Sequence, residues 1–330
     1  MARGRSSPLA AGAVAETRFV KGAYMAKKKA AKKIIVRADL GIGSFADALA
    51  HAGKKPLDSA TREQKKNYSE RLSNSIAVLL ASKLRKAGGF KSILPNPDGL
   101  GRETGSASGA QKKLKKTDVR FATQDTGLEL LVSVKTLNFH DVKKDKKAPG
   151  QIVIGRYTKN MVRNDHELRA EAMDHHERFP YAVLIGLFFI PVDACDDARS
   201  GKSSFAHAVI TFRPRTGRKE VSDPPAQFER LFIGLYDRDK AVDDAVGFFD
   251  VDSPPPKQGR VPWHDEAEEA RRGGRLLTLD QMVFEIVKEY GIRNRRYIEW
   301  ADEEPSGPVV LDAPDVLADS DAETDDADSE

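Results

Sequence analysis

Residues 117–136 read T-D-V-R-F-A-T-Q-D-T-G-L-E-L-L-V-S-V-K-T, and the way this stretch pairs with itself decides the fold. The runs 118–123 and 128–136 are rich in Val, Leu, Phe and Thr, as strands require. Gln124, Asp125, Thr126 and Gly127 make a polar connection ending in glycine, which suits a four-residue hairpin loop. Symmetric closure pairs Thr123 with Leu128 and, counting back, Asp118 with Ser133. Opposed residues share a face and side chains alternate with period two, so Asp118, Ser133 and Lys135 are expected together on one face. A carboxylate beside an ammonium at the end of a hairpin meets the needs of a metal-dependent phosphodiesterase. The acid holds a divalent cation, while the lysine orients or activates water and counters charge on the phosphorane. The same two residues also suit a plain surface ion pair, so the elements around them have to discriminate.

Upstream, Tyr68, Leu72, Ile76, Leu79, Leu80 and Leu84 recur at spacings of three and four, predicting a long helix over 59–86. Asp58 or Ser59 is placed to cap it, and Gly88-Gly89 ends it. Short elements are expected at 34–37 (strand), 43–52 (helix) and 90–94 (strand). Residues 95–116 are rich in Gly, Ser, Asn and Lys and show no periodicity. Lys112, Lys113, Lys115 and Lys116 make this a loop suited to a phosphate backbone. It lacks the G-x-x-x-x-G-K-[ST] pattern of a nucleotide-binding loop.

Downstream, 137–157 is polar and lysine-bearing, with a second cluster at 143–147, and reads as another loop facing a polyanion. Residues 159–178 predict a helix packed through Met161, Leu168 and Ala172, with Glu167 and Glu171 one turn apart on a shared face. Glu167 also lies one turn after Arg163, so an exposed ion pair is an equally good account of it. The run 181–191, Y-A-V-L-I-G-L-F-F-I-P, has the pattern of a central strand covered on both faces. His175 and His176 point about 100° apart on a helix and cannot hold one metal together.

The order helix, strand, hairpin, helix, strand resembles the αβββαβ core of the PD-(D/E)XK, or restriction-endonuclease-like, nuclease superfamily. Asp118 matches the first acid of its motif, and Ser133-Val134-Lys135 matches the (D/E)XK end. Ser133 departs from the usual Asp or Glu. The departure is similar to an (S/T)XK subgroup in which the following helix supplies the missing acid. The resemblance spans about residues 59–191. It implies an α/β fold with a central mixed sheet flanked by helices. It also implies Mg²⁺ (or Mn²⁺) held by Asp118, the Val134 carbonyl and a relocated glutamate, Glu171 or its alternative Glu167. Glu70 and Glu103 are further acids near the expected site, each with an ordinary solvent-facing reading.

Charge points to the partner. The last thirty residues, 301–330, hold 12 of the 50 acidic residues and none of the 54 basic ones. The body therefore carries 54 basic against 38 acidic residues, a net of +16, which favours a polyanionic partner. A single cysteine, Cys195, excludes a disulfide framework and a multi-cysteine zinc site. No apolar run is long enough to span a membrane, so the cytoplasm of a bacterium is the expected setting. Strands are expected at 205–212, 231–235 and 247–251, and helices at 265–272 and 278–290. Arg213 and Arg215 lie in a basic turn suited to a DNA contact. The organisation expected is a flexible extension over 1–33, with Met25 a candidate true start, a nuclease domain over 34–300 and an acidic disordered tail over 301–330.

The activity implied is a Mg²⁺-dependent endodeoxyribonuclease acting on double-stranded DNA, in restriction–modification or phage defence, and a homodimer by resemblance to type II enzymes. Two alternatives stand beside it. One is a nuclease-fold protein that grips DNA without cutting, since a lost acid at Ser133 is also what a dead site would show. The other is an RNA-directed nuclease.

Overall fold

The hairpin forms one edge of a five-stranded sheet. The computed structural model describes residues 38–101, 117–124, 126–144, 152–198, 202–239, 245–253 and 276–301, all within one compact unit, Ala38–Glu330. Strand β1 (Val119–Thr123) pairs antiparallel with β2 (Gly127–Thr136). A separate two-stranded ribbon follows, β3 (Val142–Lys144) with β4 (Ile152–Ile154). The main sheet continues with β5 (Val183–Pro191) parallel to β2, β6 (Arg230–Tyr236) parallel to β5, and β7 (Val246–Asp250) antiparallel to β6. Its order is β1-β2-β5-β6-β7.

Register at the hairpin's open end follows the symmetric count: Val119 opposes Val132, Arg120 opposes Leu131 and Phe121 opposes Leu130. Nearer the turn the count shifts, with Ala122 opposite Leu128 and Thr123 opposite Gly127. Glu129 is thus the extra residue of a β-bulge, and the connection is three residues (124–126), not four. Gly127 begins β2 at φ +76°, a backbone conformation that glycine adopts without steric cost. The Glu129 carboxylate accepts from the Thr123 hydroxyl at 2.7 Å and from Thr126 and Tyr290, which holds the bulge in place. The shorter turn and the bulge offset one another, so Asp118 still arrives level with Ser133.

Alternation along the strands sends side chains into two cores. Leu130, Val132 and Val134 of β2, with Val183, Ile185, Leu187 and Phe189 of β5, pack against three helices: α1 (Phe45–Ala52), α2 (Arg62–Gly88) and Leu279–Ala301. Leu131 of β2 and Leu184, Phe188 and Ile190 of β5 pack on the other face, against α3 (Met161–His176) and α4 (Ser204–Phe212). The Leu279–Ala301 helix is α5. All nine residues of β5 are buried, as a strand covered on both faces must be.

Several expectations need correction. Residues 90–94 form no strand; Leu94 makes one isolated bridge to Arg120, and Pro95 and Pro97 remove the donors that a longer ladder would use. Residues 205–212 are helical. Phe205, Ala208, Val209 and Phe212 are buried at helical spacing, and the Ser203 hydroxyl caps the first turn by accepting from Ala206 N–H. The cap of α2 is Thr61 rather than Asp58 or Ser59, because Thr61 and Gln64 form a reciprocal capping box. Asp58 is used elsewhere, accepting from the His140 backbone and ring. The 137–157 stretch contains the ribbon β3–β4 instead of loop alone. The expected elements at 34–37 and 265–272, the extension 1–33 and the tail from 302 lie outside the described residues.

Gly234 of β6 shows how tightly the central strands fit. A Cβ there would stand 2.6 Å from the Phe189 ring, which stacks on Phe45 at 5.6 Å and meets Phe248 edge-on at 5.8 Å. Gly234→Ala is expected to lower the unfolding free energy by about 1–3 kcal/mol, the usual cost of overpacking. Urea denaturation of the variant against the parent chain measures it.

Candidate active site

The alternation that sends Val132 and Val134 into one core turns Ser133 and Lys135 toward α3. Ser133 is 3% exposed, and Val134 donates its backbone N–H to Asp118 Oδ2 at 2.8 Å. That bond ties the residue just before β1 to the middle of β2. Helix α3 packs through Met161, Leu168, Ala172 and His175. This leaves Glu171 half-buried over the strand. Its Oε1 accepts from Lys135 Nζ at 2.6 Å, and its Oε2 accepts from the Ser133 hydroxyl. Glu167, one turn earlier, lies 4.0 Å from Lys135 Nζ and is bound by Arg163 Nε at 2.7 Å. The Glu171 side chain is 16% exposed against 39% for Glu167, so Glu171 is the inner acid and Glu167 stands at the rim.

Asp118, Ser133, Glu171 and His175 border a small cleft of about 10 Å³, room for about one water or ion. Burial pulls Lys135 toward its neutral form, but Glu171, and behind it Asp118 and Glu167, outweighs that pull and holds its pKa above the ordinary lysine value. The ammonium is therefore charged at neutral pH. It donates a hydrogen bond to Glu171 and supplies positive charge beside it.

The donors suit a hard cation. Mg²⁺ binds through one or two carboxylates and keeps several waters. Asp118 and Glu171 border the same cleft, and Val134 lies on the strand between Ser133 and Lys135. Among the described residues no three His, Cys, Asp or Glu side chains converge as a metal-binding group. The fit is thus that of a two-carboxylate site completed by a backbone oxygen or water.

A buried ionic cluster lies beside the C-terminal end of α3, which otherwise packs through Met161, Leu168 and Ala172 and through the Asp165–Arg215 pair. Glu229, fully buried just before β6, accepts from Arg218 at 2.8 Å, from Arg293 of α5 at 3.0 Å and from the backbone of Leu184 at 2.7 Å. His176, the last residue of α3, lies 3.4 Å from the same carboxylate. Leu184 pairs with Leu131, two residues before Ser133 on β2. One carboxylate thus joins α3, α5, β5 and β6 close to the level of the site. Burial alone would raise the Glu229 pKa. The His176 imidazole, the Leu184 N–H and Arg293 reverse this and hold it below the ordinary glutamate value.

One residue beyond Lys135 the chain enters a much larger cleft, about 900 Å³, bordered by Thr136, Leu137 and Asn138. Asn138 is held by the Tyr236 hydroxyl at 2.8 Å and donates to Ser69 at 2.9 Å. Around this cleft stand Arg62, Lys65 and Lys66 of α2 and Lys159 and Arg163 at the start of α3. Its acid, Asp141, is occupied by the backbone of Lys159 and the hydroxyl of Thr158. Sequence reasoning passed over these basic residues because it sought clusters in loops. The signal was present in Arg62, Lys65, Lys66 and Ser69, which recur at i, i+3, i+4 and i+7.

The basic residues singled out from the sequence fall elsewhere. Arg215 is paired to both oxygens of Asp165, at 2.7 and 3.0 Å, and Arg213 donates to the Ser253 carbonyl. Both are half-buried and bonded within the fold, and the described borders of both clefts omit them. Glu70 is exposed on α2, and the described borders of both clefts omit it. Lys112, Lys113, Lys115, Lys116 and Glu103 lie outside the described residues. Among the described residues no helix is long and apolar enough to cross a membrane.

No protein-family model matches this chain, and neither a curated protein nor a solved structure matches it.

Replacing Glu229 by Gln leaves two buried guanidinium groups without their anion, a change that costs about 3–5 kcal/mol in comparable buried pairs. Because the Glu229 pKa is depressed, its contribution is present at neutral pH and lost as the pH falls through the folded-state value. Chemical denaturation is therefore expected to show a large gap between Glu229→Gln and the parent chain at pH 7. The gap narrows below the ordinary glutamate range.

Proposed function

We propose that this chain is a metal-dependent endodeoxyribonuclease of the restriction-endonuclease-like class, hydrolysing phosphodiester bonds in double-stranded DNA. One observation carries the reading. Asp118, Ser133 and Glu171 border one small cleft, Lys135 is bonded to that Glu171, and Thr136, the next residue of the strand, borders a wide basic cleft. The arrangement supports the (S/T)XK pattern with its acid moved to the following helix. The Ser133 hydroxyl and the Glu171 carboxylate stand in contact, so the helix delivers an acid to the place where the strand would carry one. The order α2, hairpin, α3, β5 supports the nuclease core as well, with its first strand reduced to the bridge at Leu94.

In this reading Asp118 and Glu171, with the Val134 carbonyl and water, would hold Mg²⁺ or Mn²⁺, and the ion would supply positive charge toward a phosphate and a lowered pKa for water. The protein's own groups do the rest. The Asp118 carboxylate is fixed by the Val134 N–H, so its second oxygen is aimed by the strand pairing. Lys135 stays cationic, orients the attacking water through its N–H donors and offsets charge on the phosphorane. Arg62, Lys65, Lys66, Lys159 and Arg163 seat the phosphate backbone and set the register of the duplex without reading sequence. A homodimer acting on two-fold sites, in bacterial restriction or phage defence, belongs to the same proposal.

A binding-only reading has its own support, because among the described residues no third acid or histidine joins Asp118 and Glu171 as a metal-binding group. Plasmid cleavage separates the two. The parent chain is expected to nick and linearise supercoiled DNA with Mg²⁺ and to stop with EDTA. Lys135→Ala is expected to lose about a hundredfold or more in rate, the scale seen when one electrostatic group is removed from an active site. Equal cutting by Lys135→Ala would remove the lysine from the mechanism. Salt-sensitive DNA binding by the parent chain with no cutting under Mg²⁺ or Mn²⁺ would favour the binding protein.

A further inference from the structure

The ribbon β3–β4 is the least buried regular element in the described fold. Ile152, Val153 and Ile154 are 52%, 47% and 61% exposed, three consecutive β-branched residues on one short strand. The ribbon belongs to a two-stranded sheet separate from the main one. Its base is fixed. Asp141 donates its N–H to the Arg156 carbonyl at 2.9 Å, and its side chain accepts from the Lys159 backbone at 3.0 Å, which ties the ribbon to the start of α3. A two-stranded ribbon gains little from its own packing in water, and a run of exposed aliphatic side chains marks a contact surface.

Its position says what the contact is. Val142 of β3 borders the basic cleft, and Ile154 of β4 is its cross-strand partner, so Ile154 shares the face turned toward that cleft. Exposed Lys143 adds positive charge on the other face, opposite Val153. The cleft is bordered by five basic side chains, of which Arg163 is paired to Glu167 and Lys65 also donates to the Asp58 carbonyl, and Asp141, the acid at its border, is already bonded. The occupant of such a surface is a polyanion that also offers apolar groups. Duplex DNA is one. Its major groove admits a two-stranded ribbon, and thymine methyl groups line that groove. Single strands are held by rows of aromatic platforms; neither β3 nor β4 has an aromatic residue, and Phe139, the phenylalanine at the cleft, has Lys55 and Lys65 over its ring.

We propose that the β3–β4 ribbon enters the major groove of duplex DNA seated in the basic cleft, where Ile152 and Ile154 make apolar contact with thymine methyl groups. This rests on the nuclease reading for its substrate, but it concerns binding and not cleavage. The test uses the full chain with EDTA, so that no cutting occurs, and poly(dA–dT) and poly(dA–dU) duplexes, which differ by the methyl group. The parent chain is expected to bind poly(dA–dT) about tenfold more tightly, the scale of one well-read position. Ile152→Ser/Ile154→Ser is expected to lose that preference while keeping its melting temperature and the salt dependence of binding. Lys65→Ala/Lys66→Ala is expected to keep the preference and flatten the salt dependence, since it removes phosphate contacts.

Equal binding of the two duplexes by the parent chain, or an unchanged preference in the isoleucine variant, overturns the proposal. So does a fall in sedimenting mass in that variant with DNA binding intact, which would make a second copy of the chain the occupant. Cutting by the parent chain alongside any of these leaves the nuclease reading standing. Methyl-dependent binding by a parent chain that also fails to cut when Mg²⁺ or Mn²⁺ is supplied sinks the nuclease reading alone.

Discussion

The structure turns on a single carboxylate, that of Glu171, held between the Ser133 hydroxyl and the Lys135 ammonium. Strand β2 presents a hydroxyl and a cation two residues apart on one face, and neither is satisfied by the strand. Helix α3 brings the anion that satisfies both. Without it Lys135 would be a half-buried charge lacking its closest partner, a costly arrangement. With it, the anion and the cation are in contact, and Asp118 borders the same small cleft as the anion. This contact therefore couples the packing of α3 to the chemistry available at the hairpin.

Such a site needs a rigid frame, because half-buried charges do not position themselves. The frame is itself ionic. Glu229 gathers Arg218 and Arg293 at the start of β6, with His176 beside it, and holds the Leu184 N–H of the neighbouring strand. A buried cluster of this kind is weak as a source of net stability, since desolvation offsets most of the attraction. It joins β5, β6 and α5 beside the α3 C-terminus, and Glu171 sits little more than a turn before that end. At the opposite end of α3, Asp141 and Lys159 tie the helix start to the ribbon and the basic cleft. The helix is thus held at both ends, with its acid between them.

Much of this was legible in the residues because it depended on short-range pattern. Period-two alternation in 128–136 and the symmetric count from the turn put Asp118 level with Ser133. Helical spacing identified α2 and α3, and the unbroken apolar run identified β5 as central. The misreadings have physical causes. The run 205–212 is rich in β-formers, but Ser203 caps it and its buried residues fall three and four apart, so tertiary packing overrode propensity. The bulge at Glu129 was not legible because one of the three hydroxyls that hold it, Tyr290, comes from α5, more than a hundred residues away. Arg213 and Arg215 looked like a nucleic-acid contact in sequence; only the fold reveals Asp165 and the Ser253 carbonyl as their partners. The basic cleft was missed for the converse reason, since its charges come from two helix starts that are close only in space.

The central claim is that Glu171 does from the helix what an acid at position 133 would do from the strand. Returning the acid to the strand tests it most directly, by comparing DNA cleavage with Mg²⁺ for Glu171→Ser alone and for Ser133→Glu/Glu171→Ser. The account predicts that the single variant is inactive and that the double variant, with the carboxylate restored across the same contact, regains cleavage. Undiminished cutting by folded Glu171→Ser, or a folded double variant no more active than the single one, would contradict it.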